Sequence, residues 1–335
     1  MTAIPWRPDR SMRRGERLGL VRLHERIAMG TTSAVHFGWH VRGHRLVVVK
    51  RLHPQHVADE VAIAGVRDEA RIAMRVDHPN VVATLGVVRH PGELLAVTEY
   101  VPGASLAEIA REASGGLDPQ VACAILAGAL RGIQASHEAR AGIPLRELSC
   151  ISPGRVLVGD DGRSRSIDVD VPGPMTAAAI ERQLPYASPE QGAGGGGVDE
   201  RRDVYAAAVV LWETLTGRSL FRALTRPMPT VEQTLRKILS EPVPAPSCFA
   251  PRVDPRLDAI VLRGLARNRS DRFASASAMA NELEHMSHAS ISEVARAIAR
   301  LDLACIRQRS FTAEAINRRE HGALHIECTR SASKE

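Results

Sequence analysis

The hydrophobic period of this chain changes once, at Val101-Pro102-Gly103, and that change fixes the kind of fold it can adopt. Before it, VRLHERIA, AVHFGWHV, HRLVVVK, VVATLGVV and LLAVTEYV have the length and β-branched apolar content of strands. One helix interrupts them over residues 57–76, where Ile63, Val66, Ala70 and Ala73 recur at three- and four-residue steps. Asp77-His78-Pro79-Asn80 ends it, because proline bars helix in the residue before it. After the change the apolar runs are helical. VACAILAGALRGIQASHEA is long and made of small residues, and 203–212 is apolar on all sides, as suits a helix through the middle of a lobe. Two more helices are expected over 255–266 and 276–285. The pattern is α+β with two lobes: five strands and one helix over about 19–100, then a larger, mainly helical lobe over about 101–285. Residues 1–18 read as a polar segment, and 286–335 as one amphipathic helix, ISEVARAIARLDLACI, with a polar tail.

Composition excludes several classes. No apolar run approaches the roughly 18–20 residues of a membrane span, and no apolar segment follows the arginines of the first 17 residues, so neither a span nor a secretory signal is expected. The five cysteines are odd in number and widely spaced, which gives neither a disulfide framework nor a zinc pair, and the expected setting is a reducing cytoplasm. The net charge of +6 is carried almost wholly by arginine, since the only lysines are Lys50, Lys237 and Lys334. No recognition helix or aromatic–basic alternation accompanies it, so no nucleic-acid partner is expected. The pairs His53/His56 and His285/His288 lack Cys or carboxylate neighbours at ligand spacing and read as surface histidines.

Residues 145–170, LRELSCISPGRVLVGDDGRSRSIDVD, carry the informative departure. An ordered series of segments, Val47-Val48-Val49-Lys50, Asp68-Glu69-Ala70-Arg71, His78-Pro79-Asn80-Val81, Thr98-Glu99-Tyr100-Val101, Tyr186 to Glu190, Asp203 and Arg272, runs through about 20 to 285, and on that series the chain resembles a bacterial eukaryotic-like Ser/Thr protein kinase. Val47-Val48-Val49-Lys50 resembles the strand with the ATP lysine, and Asp68-Glu69-Ala70-Arg71 the helix with its glutamate partner. His78-Pro79-Asn80-Val81 is a family connector, and Thr98-Glu99-Tyr100-Val101 stands at the hinge between lobes. Tyr186 to Glu190 resembles the Ala-Pro-Glu segment, Asp203 opens the central helix, and Arg272 sits where the family pairs an arginine with the Glu190 position. Against this frame the His-Arg-Asp positions fall on Leu148, Ser149 and Cys150, the asparagine position on Arg155, and Asp-Phe-Gly becomes Asp168-Val169-Asp170.

Chemistry follows position by position. Lys50 ends a β-branched strand, where an amine needs a partner; the resemblance supplies Glu69 and the phosphates of a nucleotide. The glycine-rich loop keeps Gly30 but has Ala28 and Ser33 at the other glycine positions, so its grip on phosphate should be weaker. Val35, Leu157 and the hinge residues Glu99 and Val101 complete the expected ATP site, with Val48 narrowing the floor beneath the base. Cys150 replaces the aspartate that takes the substrate proton, and a thiol is mostly neutral at pH 7. No histidine lies in its loop to make it a nucleophile. Arg155 replaces the metal asparagine, and a guanidinium has five donors and no acceptor. Asp168 is then the one residue left to ligate magnesium, and Arg155 either pairs with Asp168 or Asp170 or contacts phosphate directly. Thr176 lies in the activation segment as an ordinary loop residue. The resemblance with these losses implies a pseudokinase acting as a binding or regulatory module for protein partners, and leaves open whether it still binds ATP. The alternatives are a Ser/Thr kinase of impaired chemistry, with Glu147 as the nearest spare carboxylate, and an adaptor acting through residues 289–335.

Overall fold

Strands of the first hundred residues pair in an antiparallel sheet whose order departs from chain order only at one edge. In a computed structural model of the chain, which describes residues 17–29, 33–53, 60–90, 93–140, 151–167, 177–194, 199–221 and 229–332, this sheet runs β1 (Arg17–Leu18), β2 (Val21–Met29), β3 (Ser33–His40), β4 (Arg45–Leu52), β6 (Glu93–Glu99) and β5 (Thr84–His90). The five long strands are those expected, and the two-residue β1 extends the edge. Leu18 is buried with Val21, Leu23, Val47 and Val49, so residues 17 and 18 belong to the sheet and not to a polar segment. Helix α1 (Glu60–Ala73) packs Ala73 against Leu52, Leu94 and Ala96.

The larger lobe starts at β7 (Gly103–Ser105), which pairs with β8 (Val156–Gly159) and through it with β9 (Ser164–Ser166). Its helices among the described residues are α2 (Leu106–Glu112), α3 (Pro119–Ala139), α4 (Ala177–Gln183), α5 (Pro189–Gly192), α6 (Arg201–Thr216), α7 (Val231–Ser240), α8 (Pro255–Gly264), α9 (Ala276–Met286), α10 (Ile291–Ala299) and α11 (Ala304–Ala332). Asp118 caps α3 by accepting from the N–H groups of Gln120 and Val121, with Pro119 opening the first turn. Helix α6 ends at Gly217, whose φ of +67° is the left-handed conformation glycine adopts without strain. Val204, Ala207, Ala208, Val209, Val210 and Leu211 on α6 are fully buried, and each such valine or leucine stabilises the fold by about 1.5–3 kcal/mol over exposure. That makes α6 the post around which α3, α8 and α9 pack. No helix among the described residues is long and apolar enough to cross a membrane.

The C-terminal region differs from expectation. The run ISEVARAIARLDLACI breaks into two helices, because the chain turns after Ala299 and buries Leu303. The expected polar tail is helical through Ala332. Among its described side chains Ala313, Ile316 and Glu320 are buried.

Candidate functional site

Cross-strand register builds the roof of a cleft between the lobes. Val35 stands opposite Lys50 and Lys50 opposite Ala96, while Phe37, Val48 and Thr98 form the neighbouring row. Directly opposed residues share one face of a sheet, so both rows face downward toward the large lobe. The cleft below them has a volume of about 560 Å³. Val35, Val48 and Ala96 line it from above, Thr98 to Val101 along the back, and Ile151, Leu157 and Ile167 from below.

The cleft gathers six of the candidate site residues singled out in the sequence. Val35, Lys50, Glu99, Val101, Arg155 and Leu157 all line it. Gly30, Cys150, Asp168, Asp170, Glu147 and Thr176 lie outside the described residues. Glu69 belongs to α1, but its side chain, and with it the Lys50–Glu69 pair, is also outside what is described. The Glu99 carboxylate accepts from the N–H of Ala83 at 2.9 Å, and the Glu99 N–H donates to the Ala83 carbonyl at 2.9 Å. This double tie fixes the connecting strand at the back of the cleft to the start of β5.

Arg155 is anchored at the floor. It closes the short turn Pro153–Arg155 before β8, and its N–H donates to the Ser152 carbonyl at 2.9 Å. Its guanidinium donates to the Ile167 carbonyl from Nε at 3.3 Å and from Nη2 at 3.2 Å. Such a group offers a cation donors and positive charge where ligation needs an oxygen acceptor. Arg155 therefore does not fit a magnesium site, and among the described residues no cluster of three His, Cys, Asp or Glu could hold a metal ion.

Below the cleft, one ion pair and one buried hydrogen bond brace the large lobe. Arg272 bonds both carboxylate oxygens of Glu190, at 2.8 and 2.7 Å, and donates also to the carbonyls of Ala266 and Arg267. Burial alone would raise the Glu190 carboxyl, but the Arg272 bonds outweigh it and hold the group below the usual carboxylate range. His137 on α3 meets Asp203 on α6 at 2.8 Å, both buried.

Three charged residues at the cleft were not found from sequence: Glu108, Arg182 and Arg309. Ser105-Leu106-Ala107-Glu108 has the spacing of a capping box, and Ser105 and Glu108 do cap α2 reciprocally. That signal marks a helix start and says nothing of a cleft wall. Burial would raise the Glu108 carboxyl, yet Arg309 and the Ser105 donors hold it low. Arg309 comes from α11, some 200 residues further on, and carries no local signal.

Comparison with known proteins agrees with this architecture. Residues 21–284 match the protein kinase domain family. The chain is 32% identical over 265 residues to the Ser/Thr-protein kinase PknL of Mycobacterium tuberculosis, covering 77% of this chain and 63% of that protein. It is 32% identical over 292 residues to PknB of Mycobacterium leprae, covering 84% of this chain and 45% of that protein. The chain thus spans less than two thirds of the length of the curated relatives it matches. The crystal structure of the Mycobacterium tuberculosis PknI kinase domain superposes with a TM-score of 0.63 at 21% identity, covering 83% of this chain and 100% of that one. The two-lobed cleft, the Glu190–Arg272 pair and these likenesses together lead to one conclusion: the chain belongs to the protein kinase family, of the eukaryotic-like Ser/Thr type found in bacteria.

Proposed function

We propose that this kinase domain is a pseudokinase that binds ATP without a metal ion and acts on protein partners through its occupied state. The observation that supports this most directly is Arg155, which lines the cleft and is anchored to Ile167 at the position where the family keeps a metal-binding asparagine. A guanidinium there supplies the positive charge that magnesium would bring to phosphate. The rest of the cleft suits a nucleotide. Val48, Ala96 and Leu157 offer apolar faces to a base, the backbone from Glu99 to Val101 offers hinge hydrogen bonds, and Lys50 lines the same cleft, in the role the family gives its lysine toward the α- and β-phosphates. Loss of a positioned proton acceptor costs about 10²–10⁴ in rate, and Cys150 stands at that acceptor's position in the sequence. Phosphoryl transfer depends chiefly on positioning and charge neutralisation around the metal, so the two losses compound.

A second reading rests on the comparisons, whose named relatives are Ser/Thr kinases. It keeps phosphoryl transfer to a protein hydroxyl, with Glu147 as displaced base. Two measurements decide between the readings. A thermal-shift titration with ATP is expected to give equal stabilisation with magnesium and with EDTA. Incubation with γ-labelled ATP and generic protein substrates is expected to transfer no label. Transfer that disappears in Lys50→Ala would overturn the pseudokinase reading in favour of the second.

A further inference from the structure

Helix α11 reaches back across the molecule and seats on the small lobe in a defined register. Residues 309, 313, 316 and 320 follow one another at four-, three- and four-residue steps, which is one face of a helix. Each finds a matching partner. Ala313 and Ile316 are buried in a cluster with Phe37, Trp39 and Leu46, against which Tyr100 also packs. Glu320, buried, bonds Arg22 at 2.6 Å and meets His24 at 3.1 Å. The His321 ring stands edge-on to Trp39 at 5.1 Å. At the near end Arg309 donates to Glu108 at 3.0 Å and to the Gly103 carbonyl at 3.4 Å, and it lines the cleft.

Sheet register explains why this seat and the cleft adjoin. Phe37 and Trp39 lie on the same face of β3 as Val35, and Leu46 on the same face of β4 as Val48 and Lys50. The lower face of the sheet is therefore divided three ways: α1 covers one end, the cleft opens in the middle, and α11 covers the other end. One helix thus holds the small lobe through Ile316 and Glu320 and the first helix of the large lobe through Arg309. Opening the lobes to admit a ligand must break one of these two attachments.

Glu108 is the point of conflict. Its Oε2 atom accepts from the Ser105 N–H at 2.9 Å, the Ser105 hydroxyl at 2.8 Å and Arg309 at 3.0 Å. A ligand that seeks this carboxylate with a hydroxyl meets a guanidinium already seated on it.

We propose that α11 is an intramolecular strap across the cleft mouth, and that a nucleotide and the strap compete, with Arg309 and the ligand contending for Glu108. The proposal rests on the nucleotide reading given above. Linkage makes the competition reciprocal: undocking the helix tightens nucleotide binding, and bound nucleotide loosens the helix by the same factor.

The test uses the full chain and isothermal titration calorimetry with ATP. Wild type is compared with Arg309→Ala, which removes the contact at Glu108, and with Ile316→Asp, which places a charge in the apolar seat and undocks the helix. Both variants are expected to bind ATP about ten-fold more tightly, within the range usual for coupled sites. Hydrogen exchange across 304–321 is expected to quicken in Ile316→Asp, and in wild type on saturation with ATP. Affinities that are equal in all three proteins, or lower in the variants, overturn the strap and leave the nucleotide reading standing. Binding in none of the three overturns the nucleotide reading and the competition with it. Amides of 304–321 that exchange as fast in wild type as in Ile316→Asp overturn the docking itself.

Discussion

Arg155 and Ile167 are tied by three hydrogen bonds: two from the Arg155 guanidinium to the Ile167 carbonyl, and one from the Ile167 N–H to the Arg155 carbonyl at 2.9 Å. Side chain and backbone together hold the guanidinium at the cleft floor. If it takes the place of a metal toward phosphate, Arg155→Ala removes a charge-assisted contact worth about 1.5–3 kcal/mol. The expected result is a ten-fold or greater loss of ATP affinity by calorimetry, of equal size with magnesium and with EDTA. Unchanged affinity would mean that the guanidinium does not serve the phosphates.

The Glu190–Arg272 pair bears on stability in a different way. The Arg272 side chain is fully buried, its charge met by both Glu190 oxygens and by backbone carbonyls, with the Tyr205 ring 5.0 Å from the guanidinium carbon. Removing one partner of a buried pair strands the other, at a cost of about 3–5 kcal/mol. Arg272→Ala is expected to lower the urea midpoint by a corresponding amount, and Glu190→Gln by less, since an amide still accepts from the guanidinium. Equal and small effects would place the pair among ordinary surface bridges.

Acid should unfold the protein in two stages. Burial pushes His24 below its ordinary 6.5, against the pull of Glu320 and Glu25 and with a contribution from Arg319. The unfolded chain then binds more protons than the native one, so stability rises with pH. The His24 part is fully present above about 6.5 and is lost as pH falls toward the depressed native value. Glu108 and Glu190 are held below their ordinary 4.5, so their part is present above that value and is lost as pH falls through the native ones. Melting temperature plotted against pH is expected to fall first below 6.5 and again below 4.5. His24→Gln is expected to remove the first fall and spare the second.

How much of this was legible in the sequence varied with distance along the chain. The strands, α3 and α6 were readable because each carries its own period, and the cleft residues Val35, Lys50, Glu99 and Leu157 because each sits in a local motif. Arg155 was legible as a misfit at a known position, though its bond to Ile167 was not, since that carbonyl lies across the turn between β8 and β9. The seat of α11 was illegible for a physical reason. Its buried stripe, Ala313, Ile316 and Glu320, includes a carboxylate, so no apolar periodicity announces it, and its partners on β2, β3 and β4 lie nearly 300 residues away. A charged residue buried by pairing looks like a solvated one until its partner is known.

Gly103 is where the small lobe hands over to the large one, and its geometry admits no side chain. Its φ is +151°, and a Cβ built there would stand 2.2 Å from the Val158 carbonyl oxygen and 2.7 Å from the Gly159 Cα. The close approach is what lets β7 pair with β8 under the cleft, and the Gly103 carbonyl also receives Arg309. Gly103→Ala must either twist the backbone out of this conformation or part the two strands, and a strained backbone of this kind costs about 1–3 kcal/mol. The expected outcome is a lower melting temperature together with faster hydrogen exchange in 156–159 and in 304–321, because the same shift loosens the Arg309 contact. A loss of stability with exchange in 304–321 unchanged would separate the two, and would show that α11 holds to Glu108 without help from the Gly103 carbonyl.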